Sequence, residues 1–222
     1  MKSLISTDQK DFIGKVLTQE ERDKLSPDDI VAELVAGNER FVNGEVTLRN
    51  HKVQMREAVK GQSPKAIVLS CVDSRVPVED IFDQGIGDCF VARVAGNFVN
   101  TDMLGSMEFA CLVAGAKLIL VLGHEQCGAI KSAVDKVELG NITAMLSSLR
   151  PAVEAVASEG FEGELTSANK PFVHAVCERN VRLSMERIRS QSPLLQEKEE
   201  SGQLAIRGGI YDLETGKVTL QD

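Results

Sequence analysis

Cysteine and histidine side chains that can bind a metal follow two apolar runs of strand length. Cys71 ends the run that begins at Ala66, while His124 and Cys127 follow the run that begins at Lys117. Continuous apolar runs of this length are typical of parallel strands buried on both faces. Because open α/β sheets bind ligands just beyond the carboxyl ends of their strands, the three side chains are expected to meet there. Two thiols and an imidazole supply three ligands of a tetrahedral zinc ion, and an open fourth position is typical of a catalytic site.

Asp73 and Arg75 follow Cys71 closely enough to assist such a metal. Two thiolates and a neutral imidazole leave bound Zn²⁺ formally neutral, so a water molecule on the metal should ionise less readily than with three imidazoles. The surroundings must therefore help. A guanidinium fork holds a carboxylate ionised and fixed in direction, which predicts a functional Asp73–Arg75 pair. The alternative is an ordinary surface salt bridge.

The other cysteines and histidines lack neighbours that are typical metal ligands. Cys89, Cys111 and Cys177 lie inside apolar patterns and are predicted to be small buried hydrophobic residues. His51 and His174 are predicted to lie on the surface or in a hydrogen-bonded core. The five cysteines are an odd number and form no dense framework, so disulfides are not expected.

Composition sets the broad class of the protein. A chain of 222 residues suits one α/β domain with a sizeable core. This core should be aliphatic, because leucine, valine, isoleucine and alanine dominate and tryptophan is absent. The net charge of −8 argues against a nucleic-acid partner. No run approaches the roughly 18 apolar residues of a membrane span. Residues 1–6 lack the apolar core of a signal peptide, which predicts a cytoplasmic location, or a periplasmic one if a leader has been removed.

The segments that position these residues are readable from capping and periodicity. Residues 1–25 are polar and mixed and are predicted to form a loosely held arm, with a short amphipathic segment at 12–17. Ser26, Pro27 and two acidic residues then begin a helix that ends before Gly44. A single domain over residues 26–222 is predicted.

Strands at 66–71, 89–94 and 117–123, separated by helical segments, predict a parallel sheet with right-handed crossovers. Residues 204–213 and 217–220 predict a hairpin. The expected fold class is α/β: a mostly parallel central sheet of about four strands plus a C-terminal antiparallel hairpin strand, flanked by helices, with an N-terminal helical arm. The helices are predicted at 51–59, 77–82, from Asp102 to before Gly115, and at 127–137, 142–158, 171–190 and from Pro193 to before Gly202.

The motif Cys71-x-Asp73-x-Arg75 followed by His124-x-x-Cys127 resembles that of the β-class carbonic anhydrases. The likeness extends from about Ile30 to the C-terminus and includes the segment from Gly208 to Val218. This resemblance implies reversible hydration of CO₂ to bicarbonate by zinc-bound hydroxide, with one Zn²⁺ per subunit. It implies that Asp73 orients this hydroxide, and that the chain forms a dimer or a dimer of dimers.

The same resemblance implies a substrate pocket. Gln62 stands where plant-type members have a glutamine that donates to substrate across the dimer interface. Phe90 matches an aromatic lining position, and Ala95 a position often held by valine. Phe109 replaces the tyrosine of plant members, so a hydroxyl is missing. Gly128 follows Cys127 and permits close backbone approach.

Val68 marks a second departure from some members of the family. Those with a non-catalytic bicarbonate site carry tryptophan three residues before the first cysteine ligand, where this chain has Val68. The expectation is a plant-like, open resting site without a bicarbonate-controlled switch.

Two alternatives stay open at this point. The same scaffold and metal suit hydrolysis of CS₂ or COS. A protein of another class would be a non-catalytic zinc-binding or redox-sensing protein whose fourth metal position is filled by Asp73.

Overall fold

The computed structural model describes residues 12–221, and within this range the apolar runs form one five-stranded sheet. Its strands lie in the order β2-β1-β3-β4-β5, the first four parallel and β5 antiparallel to β4. This confirms the predicted fold class. The strands are β1 (Ala66–Ser70), β2 (Cys89–Arg93), β3 (Leu118–His124), β4 (Ala205–Tyr211) and β5 (Val218–Gln221).

Ten α-helices flank the sheet in the part of the chain that the structure describes. No helix between residues 12 and 221 is long and apolar enough to cross a lipid bilayer. The helices are α1 (Gln19–Lys24), α2 (Pro27–Asn43), α3 (His51–Ala58), α4 (Val78–Ile81), α5 (Thr101–Glu108), α6 (Gly128–Val134), α7 (Gly140–Ser147), α8 (Arg150–Ser158), α9 (Lys170–Gln191) and α10 (Pro193–Glu200).

Two helix predictions need correction. The single helix expected at 142–158 is two helices, because Pro151 at the start of α8 lacks the N–H that a continuous helix would need. The N-cap of α5 is Asn100 rather than Asp102, since the Asn100 side chain accepts a 2.9 Å hydrogen bond from the Met103 amide. A π-helical turn, Phe109–Val113, continues α5.

Residues 12–25 of the predicted arm pack against the rest of the chain. Ile13 pairs with the 48–50 segment through two backbone hydrogen bonds of 2.9 Å, and only residues 19–24 are helical. Arg22 is buried and donates to the Ala114 carbonyl, while Lys117 donates to the carbonyls of Asp23 and Leu25. This segment is therefore not loosely held. Residues 1–11 lie outside the described part, and the division at residue 25 stays a prediction.

The core lies on both faces of the sheet, as alternating side chains require. Leu69 and Val121 pack in the larger cluster with residues of α5 to α9, and Val68 and Leu120 pack on the other face with α2 and α4. The sheet is thus covered on both faces, and its strand ends are the places where polar side chains can gather.

Asp83 ties α2 and the loop after it to the loop that follows α4. Its carboxylate, 1% exposed, accepts from Arg40, Thr47 and Arg49. Burial alone would raise the pKa of Asp83, but hydrogen bonds from Arg49 and its neighbours outweigh burial and lower that pKa to about 2.

Replacing Asp83 by asparagine should lower the free energy of unfolding by about 3 kcal/mol, because two arginines lose their buried counter-charge. In the unfolded chain the pKa of an aspartate is about 3.9. The stabilisation by Asp83 is therefore complete above about pH 4 and is lost as pH falls to about 2, which lowers the free energy of unfolding by roughly 2–3 kcal/mol. Urea unfolding at pH 7 measures the first effect, and the same measurement in steps from pH 5 down to pH 2 measures the second. Asp80→Asn, at an exposed position, should be near neutral, and equal losses in the two variants would contradict the prediction.

Candidate metal centre

The metal-ligand candidates lie where the strand order reverses. From β1 the chain places β2 on one side and β3 and β4 on the other, so a crevice opens at the carboxyl ends of β1 and β3. Cys71 follows β1 directly, His124 is the last residue of β3, and Cys127 precedes α6. The prediction that these three residues meet is confirmed: one ligand atom of each lies within 4.8 Å of the others.

All three ligand side chains are buried, and the two sulfur atoms are 4.0 Å apart. A hydrogen bond from the Cys127 thiol lowers the pKa of Cys71 to about 4, against the opposing effect of burial. The hydrogen bond that the Cys127 thiol donates to Cys71 raises the pKa of Cys127, and burial and the negative charge on Cys71 add to the rise. The pair therefore holds one negative charge readily, and a divalent cation in place of the shared proton would hold both residues as thiolates.

His124 is oriented as a ligand by its own backbone neighbour. Its Nδ1 donates a 2.8 Å hydrogen bond to the carbonyl of Glu125, which fixes the tautomer and leaves Nε2 with a lone pair. Nε2 is buried and has no hydrogen-bond partner among the described residues. A buried acceptor left unpaired is costly, and a metal ion facing the two sulfurs would satisfy it. The donor set of two thiolates and one imidazole fits Zn²⁺.

Asp73 and Arg75 form the predicted pair beside these ligands. The Arg75 guanidinium donates to both carboxylate oxygens, at 2.9 and 2.7 Å, and the Arg75 amide adds a third bond of 2.9 Å. These hydrogen bonds lower the pKa of Asp73 to about 2 despite partial burial. Oδ2 of Asp73 lies 3.9 Å from Nε2 of His124, so the carboxylate borders the metal ligands and is not part of an ordinary surface salt bridge.

A sequence model of the family described as carbonic anhydrase matches residues 66–218. The chain belongs to this family. Carbonic anhydrase 2 of Mycobacterium tuberculosis is 37% identical over 190 residues, covering 85% of this chain and 90% of the relative. The carbonic anhydrase of Pseudomonas aeruginosa is 30% identical over 72% of this chain and 74% of its own length.

Solved carbonic anhydrases of the β class share the fold. A β-carbonic anhydrase of Aspergillus fumigatus superposes with a TM-score of 0.69 at 25% identity, over 87% of this chain and 91% of that chain. One of two tetrameric β-carbonic anhydrases from Sordaria macrospora superposes with a TM-score of 0.68 at 22% identity, over 83% of this chain and 90% of that chain. The chain is a β-class carbonic anhydrase.

The carbonic anhydrase site contains contacts that the motif does not reveal. Gly96 donates its backbone N–H to the sulfur of Cys71 at 3.3 Å, and Asn180 on α9 donates to the carbonyl of the same Gly96 at 2.8 Å. Gly96 has φ +85, and a Cβ there would meet Leu149 at 2.6 Å, so both conformation and space require glycine. Asn180 and Ser184 are the polar residues of an otherwise apolar stripe on α9, and this interruption is the only signal of the contact in the sequence.

Replacing Asn180 by leucine should lower zinc affinity about 10–100-fold, as loss of an outer-shell partner typically does. The Gly96 carbonyl would be left buried without its donor, and the amide that contacts Cys71 would lose its fixed orientation. Competition with a chelator measures zinc affinity directly. Asn141→Leu, on the exposed surface of α7, serves as the control, and unchanged affinity in Asn180→Leu would contradict this role.

The pocket residues predicted from the carbonic anhydrase resemblance fall into two places. Ala95 lies next to Gly96 and Gly128 lies next to Cys127, so both adjoin the metal ligands. A Cβ on Gly128 would meet no atom within 4 Å, so packing does not require glycine there. Gln62, Phe90 and Phe109 lie away from the metal ligands of their own chain.

Strand geometry shows the separation. Gln62 is exposed and lies beside Gly87, before β1 and β2 begin, so the length of β1 separates it from Cys71, about 16 Å or more. Phe90 pairs with Ile67, four residues before Cys71, which is about 13 Å along the strand. The rings of Phe90 and Phe109, 6.4 Å apart, line a cavity of about 650 Å³ at the free edge of β2.

The remaining cysteines are free and lie outside the metal group among residues 12–221. Cys111 and Cys177 are buried as predicted, whereas Cys89 is only half-buried. Burial raises the pKa of each of these three thiols to about 12, so they remain protonated near neutral pH. His51 is exposed, and His174 is half-exposed and hydrogen-bonded to Glu125.

Proposed function

We propose that this carbonic anhydrase hydrates CO₂ reversibly to bicarbonate and a proton with one Zn²⁺ per chain, held by Cys71, His124 and Cys127. The observation that carries the proposal is the buried, unpaired Nε2 of His124, which faces two thiols with the Asp73 carboxylate beside it. Zinc held by these residues would lower the pKa of a bound water and so supply hydroxide near neutral pH.

Asp73 and Arg75 are proposed as the residues that direct the reaction. The Asp73 carboxylate, held at both oxygens by Arg75, accepts a hydrogen bond from the attacking oxygen and sets its direction. Because Asp73 remains ionised, it can only accept, so the proton of that oxygen points at Asp73 and a lone pair points away from it. This orientation makes the lone pair available to the carbon of CO₂.

The intact Asp73–Arg75 pair supports an open resting site. Arg75 engages both oxygens of Asp73, and the carboxylate would have to leave this fork to serve as a metal ligand. Val68 is a buried core residue on the sheet face away from Leu69 and Cys71, in agreement with the proposed absence of a tryptophan-dependent bicarbonate site.

We infer a homo-oligomer in which the site is shared between copies. Gln62, Phe90 and Phe109 are too far from the metal ligands of their own chain to serve that metal. Phe90 and Phe109 line the cavity at the free edge of β2, and Gln62 lies beside Gly87 just before that strand, where a second copy can approach. The tetrameric relatives from Sordaria macrospora support this assembly. A cytoplasmic location is part of the same proposal.

Co-expressing two defective variants tests the shared site. Cys71→Ala lacks the metal and Gln62→Ala lacks the donor, so a mixed dimer has one complete site if Gln62 acts on the neighbouring copy. If the two variants pair at random, about half of the dimers are mixed and each of these has one complete site of two, so about a quarter of all sites are restored. Stopped-flow CO₂ hydration on the purified mixture measures this recovery. Activity equal to the average of the two separate variants would place Gln62 outside a shared site.

Stopped-flow CO₂ hydration between pH 6.5 and 9, on protein of assayed zinc content, tests the main proposal. We expect activity that rises with pH and is already present near pH 7. Activity confined to pH above 8 would contradict the open site. A full complement of zinc without CO₂ hydration would contradict the reaction, and hydrolysis of CS₂ or COS by the same sample would then identify the alternative substrate. Zinc without either activity would favour a binding or redox-sensing role.

A further inference from the structure

A second cleft, of about 700 Å³, lies beside the zinc ligands at the carboxyl ends of β3 and β4. Glu125 and Gln126 form part of its wall, and these are the two residues between His124 and Cys127. The cleft is therefore separated from the metal ligands by the loop that carries them. Nothing in the proposed reaction uses it.

His174 in this cleft has the hydrogen bonding of a metal ligand. Its Nδ1 is bonded to the Glu125 carboxylate, and its Nε2 lies 3.5 Å from Oε1 of Glu178, one helical turn further along α9. Because the Glu125 carboxylate accepts from Nδ1, Nε2 is the ring nitrogen left to bind an ion together with the carboxylate of Glu178. A histidine whose other nitrogen is held by a carboxylate is the common arrangement at metal sites.

Gln221 is an independent observation in the same cleft. It is 9% exposed, and neither its amide oxygen nor its amide nitrogen has a hydrogen-bond partner among the described residues. Buried amides are usually paired, so this side chain lacks a partner that a hydrated ion in the cleft would supply.

The charges around the cleft favour a cation. Glu125, Glu178, Asp212 and Glu214 are acidic, and Lys170 is the one lysine or arginine among the residues that line it. An imidazole with carboxylates suits zinc and related divalent transition metals better than magnesium or calcium.

We propose that this cleft binds a second divalent transition-metal ion, with His174 Nε2 and Glu178 as its protein ligands and water completing the shell. A water of that shell hydrogen-bonds to Gln221. With two protein ligands on a half-exposed surface, the site binds more weakly than the buried set of two cysteines and a histidine. An ion here also restricts the movement of Glu125. The carbonyl of Glu125 orients His124, and its backbone N–H donates to the Tyr211 carbonyl at 2.9 Å.

Imidazole ¹⁵N NMR of the enzyme loaded with one zinc per chain tests this site, because the chain has only three histidines. Adding further Zn²⁺ should shift the Nε2 resonance of His174 and leave His51, the exposed control, unchanged. Titration calorimetry should show a second event that disappears in His174→Asn and weakens at least tenfold in Glu178→Gln, while His51→Asn retains it. A shift at His51, no second event, or a second event that survives His174→Asn would overturn the proposal.

The two metal sites are distinguished in the same spectra. Loss of zinc from the first site appears at His124, whereas the second site is reported by His174. A failure of the proposed zinc chemistry therefore leaves the test of the second site intact.

Discussion

Cys71→Ala is expected to remove both zinc and CO₂ hydration. The substitution deletes one of three protein ligands and leaves Cys127 and His124 as a two-ligand set without the neighbouring thiolate. Because the metal supplies the nucleophile at neutral pH, the rate should fall by roughly three orders of magnitude or more. Zinc content by atomic absorption and stopped-flow CO₂ hydration on the same sample measure the two losses.

Cys111→Ala provides the matched control for this experiment. Cys111 is also a buried thiol, but it lies outside the metal group, and its raised pKa keeps it protonated. This variant should retain zinc and activity and lose only a little stability. A Cys71→Ala protein with a full complement of zinc, or equal losses of zinc in both variants, would contradict the assignment of Cys71 as a ligand.

The ligand set could be predicted because residue type and strand pattern agree. Buried parallel strands make continuous apolar runs, so their ends are visible in sequence, and Cys71 and His124 lie at two such ends. The observed strands start and stop within about two residues of the prediction for the same reason. Asp73 and Arg75 were also predictable, because their pairing is local.

The supporting contacts could not be predicted in the same way, because they join distant parts of the chain. Asn180 meets Gly96 across 84 residues, and His174 meets Glu125 across 49. Only the packing of α9 against the loops at the strand ends brings them together. The place of Gln62 depends on the register of β1 and β2 and on a second copy, which no local pattern encodes.

Asp73→Asn should lower the rate of CO₂ hydration about 100–1000-fold while zinc content stays the same. The amide keeps the shape of the side chain but has lost the second oxygen and the charge that Arg75 engages. An amide oriented with its nitrogen towards the attacking oxygen would donate to it rather than accept, which points a lone pair the wrong way. Stopped-flow rates on zinc-assayed protein measure the effect, and Arg75→Lys, which keeps the charge but not the fork, should fall between wild type and Asp73→Asn.

The pH dependence separates an orienting Asp73 from a titrating one. The hydrogen bonds of Arg75 lower the pKa of Asp73 to about 2, so the carboxylate is already ionised throughout pH 6.5–9 and loses its charge only when pH falls towards 2. The rise of wild-type activity with pH must therefore come from another group. Asp73→Asn should lower the whole profile without changing its shape. A profile that became flat in this variant, or an undiminished rate, would show that Asp73 does not act by orienting the attacking oxygen.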